Sequence, residues 1–272
     1  MLALPILNLV TIGIVLVISA IMMVRNPRDR NMQGLFFSTL FLILVIFVDD
    51  VALTIATHAT SIRYDEYVFF IDRAFGSPAF VMGSLFQSYP WFREISYIPY
   101  ALVSSACLIV VAARFFLLRF EEGVRCVRTV FLSCLLAYPL YIVFPVAGPQ
   151  YAFRSFPNSV PTNFTPHVVH LQALPNCVPS VHMTLAIMVM VFSKEWQIGR
   201  VLGALFVLLT VSATMGLGEH YLFDLIVAVP YSALMIYLGG YSHRHADGRS
   251  AARNAEVLAG SGARVNEADF DF

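Results

Sequence analysis

The sequence predicts an all-α, polytopic membrane fold of about six to seven transmembrane helices, and three observations carry that prediction. Hydrophobic residues make up 58% of the 272-residue chain and charged residues only 12%, with a mean hydropathy of +0.75. Globular chains hold about 25% charged residues. The apolar residues are gathered into runs, several of them long enough to cross about 30 Å of hydrocarbon at about 1.5 Å per residue. Lysine and arginine are concentrated in alternate connections between those runs, as orientation by positive charge requires.

In chain order, the first run covers 3–24 and is followed at once by Arg25, Arg28 and Arg30. No basic residue precedes it and no small-residue cleavage site stands out, so it reads as a retained span. The second covers 33–56, with Asp49 and Asp50 in its later half. Residues 67–86 are apolar but broken by Asp72, Arg73, Gly76 and Pro78, the pattern of a re-entrant or interfacial helix. Tyr89, Trp91 and Phe92 beside it form an aromatic belt. The third span runs over 95–118, and a charged loop with Glu121, Glu122, Arg125 and Arg128 separates it from the fourth, 129–146. A polar stretch, 147–178, leads to the fifth span (179–193). A tight Lys194–Arg200 connection, the sixth span (201–217) and the seventh (220–240) complete the series. Residues 1–240 thus form one integral membrane domain, and 241–272 a flexible cytoplasmic tail.

The connections after spans one, three and five, with the tail, hold 13 lysines and arginines; those after two, four and six hold four. The N-terminus is therefore expected outside and the tail inside. His182 at the start of span five, His220 and Asp224 at the start of span seven, and the loop 147–178 then share the outer face. A charge at mid-membrane costs roughly 2.5–3.5 kcal/mol, so ionisable residues gathered at one depth are functional candidates by default.

The residue types point to a chemistry. His220 and Asp224 are four apart and on a helix share a face. A carboxylate there fixes the imidazole tautomer and raises the basicity of the other ring nitrogen. His182 falls in the first turn of a helix begun near Pro179, where proline is favoured. Free N–H groups at that turn suit a phosphate, and Ser180 adds a hydroxyl donor. With no serine or cysteine in a nucleophile elbow, phosphoryl transfer through a phosphohistidine fits best. His220 attacks phosphorus, Asp224 orients it, and His182 protonates the departing oxygen.

These same residues carry a resemblance. Pro179-Ser180-Val181-His182, followed 38 residues later by His220 and by Asp224, resembles the P-S-x-H and H-x-x-x-D motifs of the type 2 phosphatidic acid phosphatase superfamily. The stretch Thr214–Leu225 is more similar to the inositol-phosphorylceramide synthase branch. So is Tyr138-Pro139, continued by Phe144-Pro145-Val146-Ala147-Gly148-Pro149-Gln150-Tyr151. The resemblance implies a six-helix catalytic bundle with its motifs concentrated in 138–230. It further implies a lipid phosphotransferase in the cell membrane, active on the non-cytoplasmic side without metal or cofactor. The donor would be a phospholipid or polyprenyl phosphate, and the acceptor an inositol-like polyol, or water in a phosphatase. The phosphatases carry Ser-Arg where this chain has Ala213 and Thr214, and their upstream K-x6-R-P motif is missing. Other donors must meet the phosphate: Arg154 and Gln150 first, with Tyr151 beside them and Arg73 and Arg93 behind.

Other readings are weaker. Nucleic acid is excluded as a partner by the lack of a basic face on a chain of zero net charge. A proton-coupled transporter would show repeat-like halves and mid-membrane ionisable groups, and no repeat is visible. A scaffold needs no such cluster. The four cysteines lack CxxC spacing, so neither a disulfide framework nor a structural zinc site is expected. His167 and His170 read as exposed loop residues, and Asp49 and Asp50 as a pair reaching toward water.

Overall fold

The computed structural model describes residues 3–117, 119–162 and 165–240, and the tail expected over 241–272 lies outside them. Two long helices, α1 (Ala3–Arg25) and α2 (Arg30–Ala59), open the chain and pack on each other. Asp29 caps α2, its carboxylate accepting from the backbone N–H of Asn31 at 2.8 Å. Two short helices, α3 (Asp65–Arg73) and α4 (Pro78–Ser88), fill the segment read as re-entrant or interfacial. The third span is broken: α5 (Pro90–Ala101) and α6 (Val103–Phe116) meet at 50°. Pro99 lies inside α5 and supplies a cause, since its ring removes one helical hydrogen bond and crowds the turn before it.

Helices α7 (Phe120–Leu135) and α8 (Ala137–Val143) continue as one apolar span, followed by the single turn α9 (Pro149–Ala152). Then come α10 (Val181–Ser193), α11 (Gln197–Gly216) and α12 (Leu222–Gly240). Strands β1 (Ile62–Arg63) and β2 (Val169–His170) pair antiparallel and pin the long polar loop to the segment after α2. Among the described residues, five helices are long and apolar enough to cross a membrane, and the bent α5–α6 pair adds a sixth; α10 has only 13 residues. This is an all-α, multi-pass membrane protein. Ile6, Leu9, Val17 and Val24 of α1 are all more than half exposed, as expected of a surface whose apolar partner is lipid.

One boundary differs from the sequence reading. The expected charged loop at 121–128 is helical, because α7 begins at Phe120. Glu121 and Glu122 fall in its first turn, where the helix dipole favours acids, so their charge marks a helix start and not a connection. Buried Arg114 reaches Glu122 at 2.6 Å and Glu195 at 3.0 Å, and Arg119 bridges the same two carboxylates. Arg30 lies 3.5 Å from Glu121. The three connections that carry most of the basic residues therefore meet at one end of the bundle, as their alternation along the chain predicts. Little stability follows from the exposed pairs. For Arg114 the partners matter, because an unpaired buried cation would be costly.

The opposite end is aromatic. Val68, Phe69, Phe80, Val146, Cys177, Val178 and Tyr221 form one buried cluster, with Phe153 and Phe156 packed against it. The loop 147–178 is thereby fastened over the ends of α10, α11 and α12.

Candidate active site

Ser180 is the N-cap of α10, its hydroxyl accepting from the N–H of Met183 at 3.3 Å. Helix α10 thus begins at Val181 and not at Pro179, which precedes the cap. Helix α11 stops at Gly216, and the chain turns through Gly218 at φ +76°. The N–H groups of Glu219 and His220 both donate to the carbonyl of Thr214, at 3.0 and 3.1 Å. This fold-back turns His220 inward, to 3% exposure. Helix α12 starts only at Leu222, so His220 and Asp224 do not share a helical face. Asp224 lies in the first turn and reaches back to accept from the N–H of Tyr221 at 2.8 Å.

The cluster comes together around His220. Its Nε2 is 3.1 Å from Ser180 Oγ, and its Nδ1 is 3.4 Å from Asp224 Oδ2. The second contact is not an aligned hydrogen bond: His220 Nδ1 and Asp224 Oδ1 are buried without a hydrogen-bond partner among the described residues. The His182 ring stands at 60° to that of His220, centroids 6.4 Å apart, and Tyr100 stacks on its other face at 4.4 Å. Cys177 also belongs to the cluster: its Sγ, a His220 ring nitrogen and an Asp224 oxygen all lie within 4.8 Å of one another.

Gln150 and Tyr151 reach the site through Glu219. The backbone N–H of Gln150 donates to Gly218 O at 3.0 Å. Its side-chain amide donates to the Glu219 carboxylate, and Tyr151 Oη lies 3.3 Å from both oxygens of that group. Burial raises the Glu219 carboxyl and pushes the Tyr151 phenol up to about 12. Gly148 makes this approach possible. It sits at φ +109°, and a Cβ there would stand 2.5 Å from Glu219 O.

Arg154 is exposed, and among the described residues no hydrogen bond or ion pair joins it to Ser180, His182 or His220. Arg93 instead lines a cavity of about 530 Å³ together with Tyr97, Tyr100, Gln150 and Glu219. A separate apolar pocket of about 140 Å³, lined from α2, α6, α7 and α10, ends on His182 and Asp49. Asp49 accepts from Tyr138 Oη at 2.8 Å and so faces protein, not water. His167 is exposed, with its ring 2.9 Å from Glu66, and His170 lies 3.0 Å from Ser61 Oγ.

Two carboxylates that the sequence reading gave no role hold this end together. Asp65 accepts from the N–H groups of Ala147 and Gly148, at 2.9 and 2.7 Å, and from Tyr221 Oη at 3.0 Å. Asp72 accepts from the N–H groups of Leu222 and Phe223, both at 3.0 Å, capping α12 from another helix. Between them they fix the proline-rich loop and the residues flanking His220 and Asp224. Burial raises each carboxyl from 3.8 to about 6, against the lowering effect of their hydrogen bonds. Between these values the folded chain keeps protons that the unfolded chain releases. Stability from this source is therefore greatest below pH 3.8 and falls as pH rises to about 6. Thermal unfolding in detergent at pH 4.5 and pH 7 is expected to show a smaller pH effect in an Asp65→Asn/Asp72→Asn variant than in the parent.

A comparison with known protein families matches residues 67–238 to the PAP2 superfamily. No curated protein and no solved structure matches the chain. The matched segment covers more than half the sequence and contains Ser180, His182, His220 and Asp224. The chain therefore belongs to the PAP2 superfamily, which supports an enzyme of the lipid phosphatase or phosphotransferase type.

Proposed function

We propose that the protein is a lipid phosphotransferase that moves a phospho-headgroup, phosphoinositol being the leading case, from a lipid to a hydroxyl acceptor by way of a phosphohistidine. The observation that carries this reading is the setting of His220. One ring nitrogen faces the capped N-terminus of α10, and the other faces a buried carboxylate. With its proton on Nδ1, the ring nitrogen 3.4 Å from Asp224, the Nε2 lone pair attacks phosphorus and the bond to the departing oxygen breaks. His182 supplies a proton to that oxygen. It then takes one from the acceptor hydroxyl, whose oxygen displaces the phosphoryl group from His220. Ser180 Oγ and the free N–H groups of the first turn of α10 meet the phosphoryl oxygens.

The larger cavity, with Arg93, Gln150 and the Glu219–Tyr151 pair at its edge, is read as the headgroup and acceptor site. Arg93 is better situated for a phosphate there than the exposed Arg154. The apolar pocket ending on His182 suits a hydrocarbon chain entering between helices. The residues Ala213 and Thr214, where phosphatases carry Ser-Arg, favour the inositol-phosphorylceramide synthase branch and transfer over hydrolysis. The cell membrane is the proposed location, with the site on the non-cytoplasmic face.

The test is turnover of phosphate-labelled phospholipids by the detergent-purified chain in EDTA, with and without myo-inositol. A water-soluble labelled phosphodiester of inositol that forms only with acceptor is expected. Labelled headgroup phosphate or free phosphate formed at the same rate with or without acceptor would make the enzyme a hydrolase.

A further inference from the structure

We propose that Cys177, His220 and Asp224 form an inhibitory binding site for a thiophilic divalent cation of the zinc type. All three are buried, with Cys177 and Asp224 at 0% exposure. Their ligand atoms lie within 4.8 Å of one another. Around tetrahedral zinc, N, O and S ligands stand about 3.3–3.6 Å apart. The 3.4 Å between His220 Nδ1 and Asp224 Oδ2 is already that spacing, although the two do not form an aligned hydrogen bond. Bringing the sulfur to ligand distance needs a movement of at most about 1 Å.

A second observation points independently to a ligand. Nδ1 of His220 and Oδ1 of Asp224 are buried polar atoms with no hydrogen-bond partner among the described residues. Such atoms are costly unless something satisfies them. A cation does so for Nδ1, and for Oδ1 when the Asp224 carboxylate chelates it through both oxygens. One thiolate and one carboxylate balance a divalent charge, so the occupied site is neutral and tolerable in a low-dielectric interior. The thiol donates to Glu219 O at 2.8 Å. On binding it releases that proton to solvent, so occupancy increases with pH.

Inhibition follows from the tautomer. A cation on Nδ1 leaves the ring proton on Nε2 and removes the lone pair that attacks phosphorus. This step rests on the proposed role of His220, whereas binding rests on the geometry alone.

The test uses the full chain in detergent, stripped with EDTA and dialysed. Cobalt(II) is titrated in as a spectroscopic probe and zinc is added to the turnover assay. A thiolate-to-cobalt charge-transfer band at one cobalt per chain is expected in the parent. It is also expected in a Cys107→Ala/Cys126→Ala/Cys134→Ala variant, which keeps Cys177 and does not depend on the folding of a Cys177 variant. Cys177→Ser is expected to lose the band and to need more than about tenfold more zinc for half-inhibition. A parent without the band, or a Cys177→Ser variant that keeps it, overturns the site. A band with undiminished turnover upholds the site and overturns the assignment of His220 as nucleophile.

Discussion

Replacing His220 by alanine is expected to lower lipid turnover by at least about 10³-fold, because a nucleophile that acts as part of a unit cannot be substituted by its neighbours. Among the described residues, no other side chain stands where its Nε2 does, 3.1 Å from Ser180 Oγ at the end of α10. His182, the nearest imidazole among the described residues, has Tyr100 stacked on its far face. The measurement has two parts. Turnover of a labelled lipid gives the rate. Rapid quenching then shows whether label is carried by the protein in an acid-labile, alkali-stable form, as a phosphohistidine would be. The parent should carry it, and His220→Ala should not. Undiminished turnover in the variant would remove His220 from the reaction, and with it the orienting role proposed for Asp224.

The second large effect is structural. Asp65→Ala leaves three buried donors without their acceptor: two backbone N–H groups of the proline-rich loop and the hydroxyl of Tyr221. Each unsatisfied buried donor costs about 1–3 kcal/mol, so for three donors a loss of at least about 3 kcal/mol is expected. In thermal unfolding this is a drop of about 10 °C. Asp65→Asn keeps one carbonyl oxygen to accept and should fall in between. Glu66→Ala is a fitting control, being the next residue, whose carboxylate bonds instead to the exposed His167. If Asp65→Ala melts with the parent, the joint is held by something other than this carboxylate.

Much of the molecule was legible because hydrocarbon is a strict solvent. Long apolar runs must be helices, and their ends are marked by charge, so the spans and the common end of His182 and His220 follow from elementary counting. The charged start of α7 was misread because acids at a helix N-terminus look like a loop when only hydropathy is followed. The pairing of His220 with Asp224 was found for an incomplete reason. Their spacing suggested one helical face, while the contact depends on a turn at Gly218 and a carboxylate reaching backward. Asp65 drew no reading, and Asp72 was read only as a break in an apolar run. Their partners lie 82 to 156 residues away along the chain, beyond any local pattern. A signal was nevertheless present. Asp65, Val68, Phe69 and Asp72 recur at helical spacing and are the buried residues of α3. Two carboxylates on the apolar stripe of a nine-residue helix call for donors from elsewhere in the fold.

The brevity of α10 has a geometric consequence for the lipid. Thirteen residues rise only about 20 Å, against about 30 Å of hydrocarbon. If its Lys194 end rests at one boundary, the capped end bearing His182 stops about 10 Å short of the other. A phosphate that reaches it must sink below the plane of its neighbours, drawing its ester linkage into a region where ordinary headgroups do not go. The enzyme would then select less by what protrudes from the bilayer than by how readily a lipid can be pulled down into it.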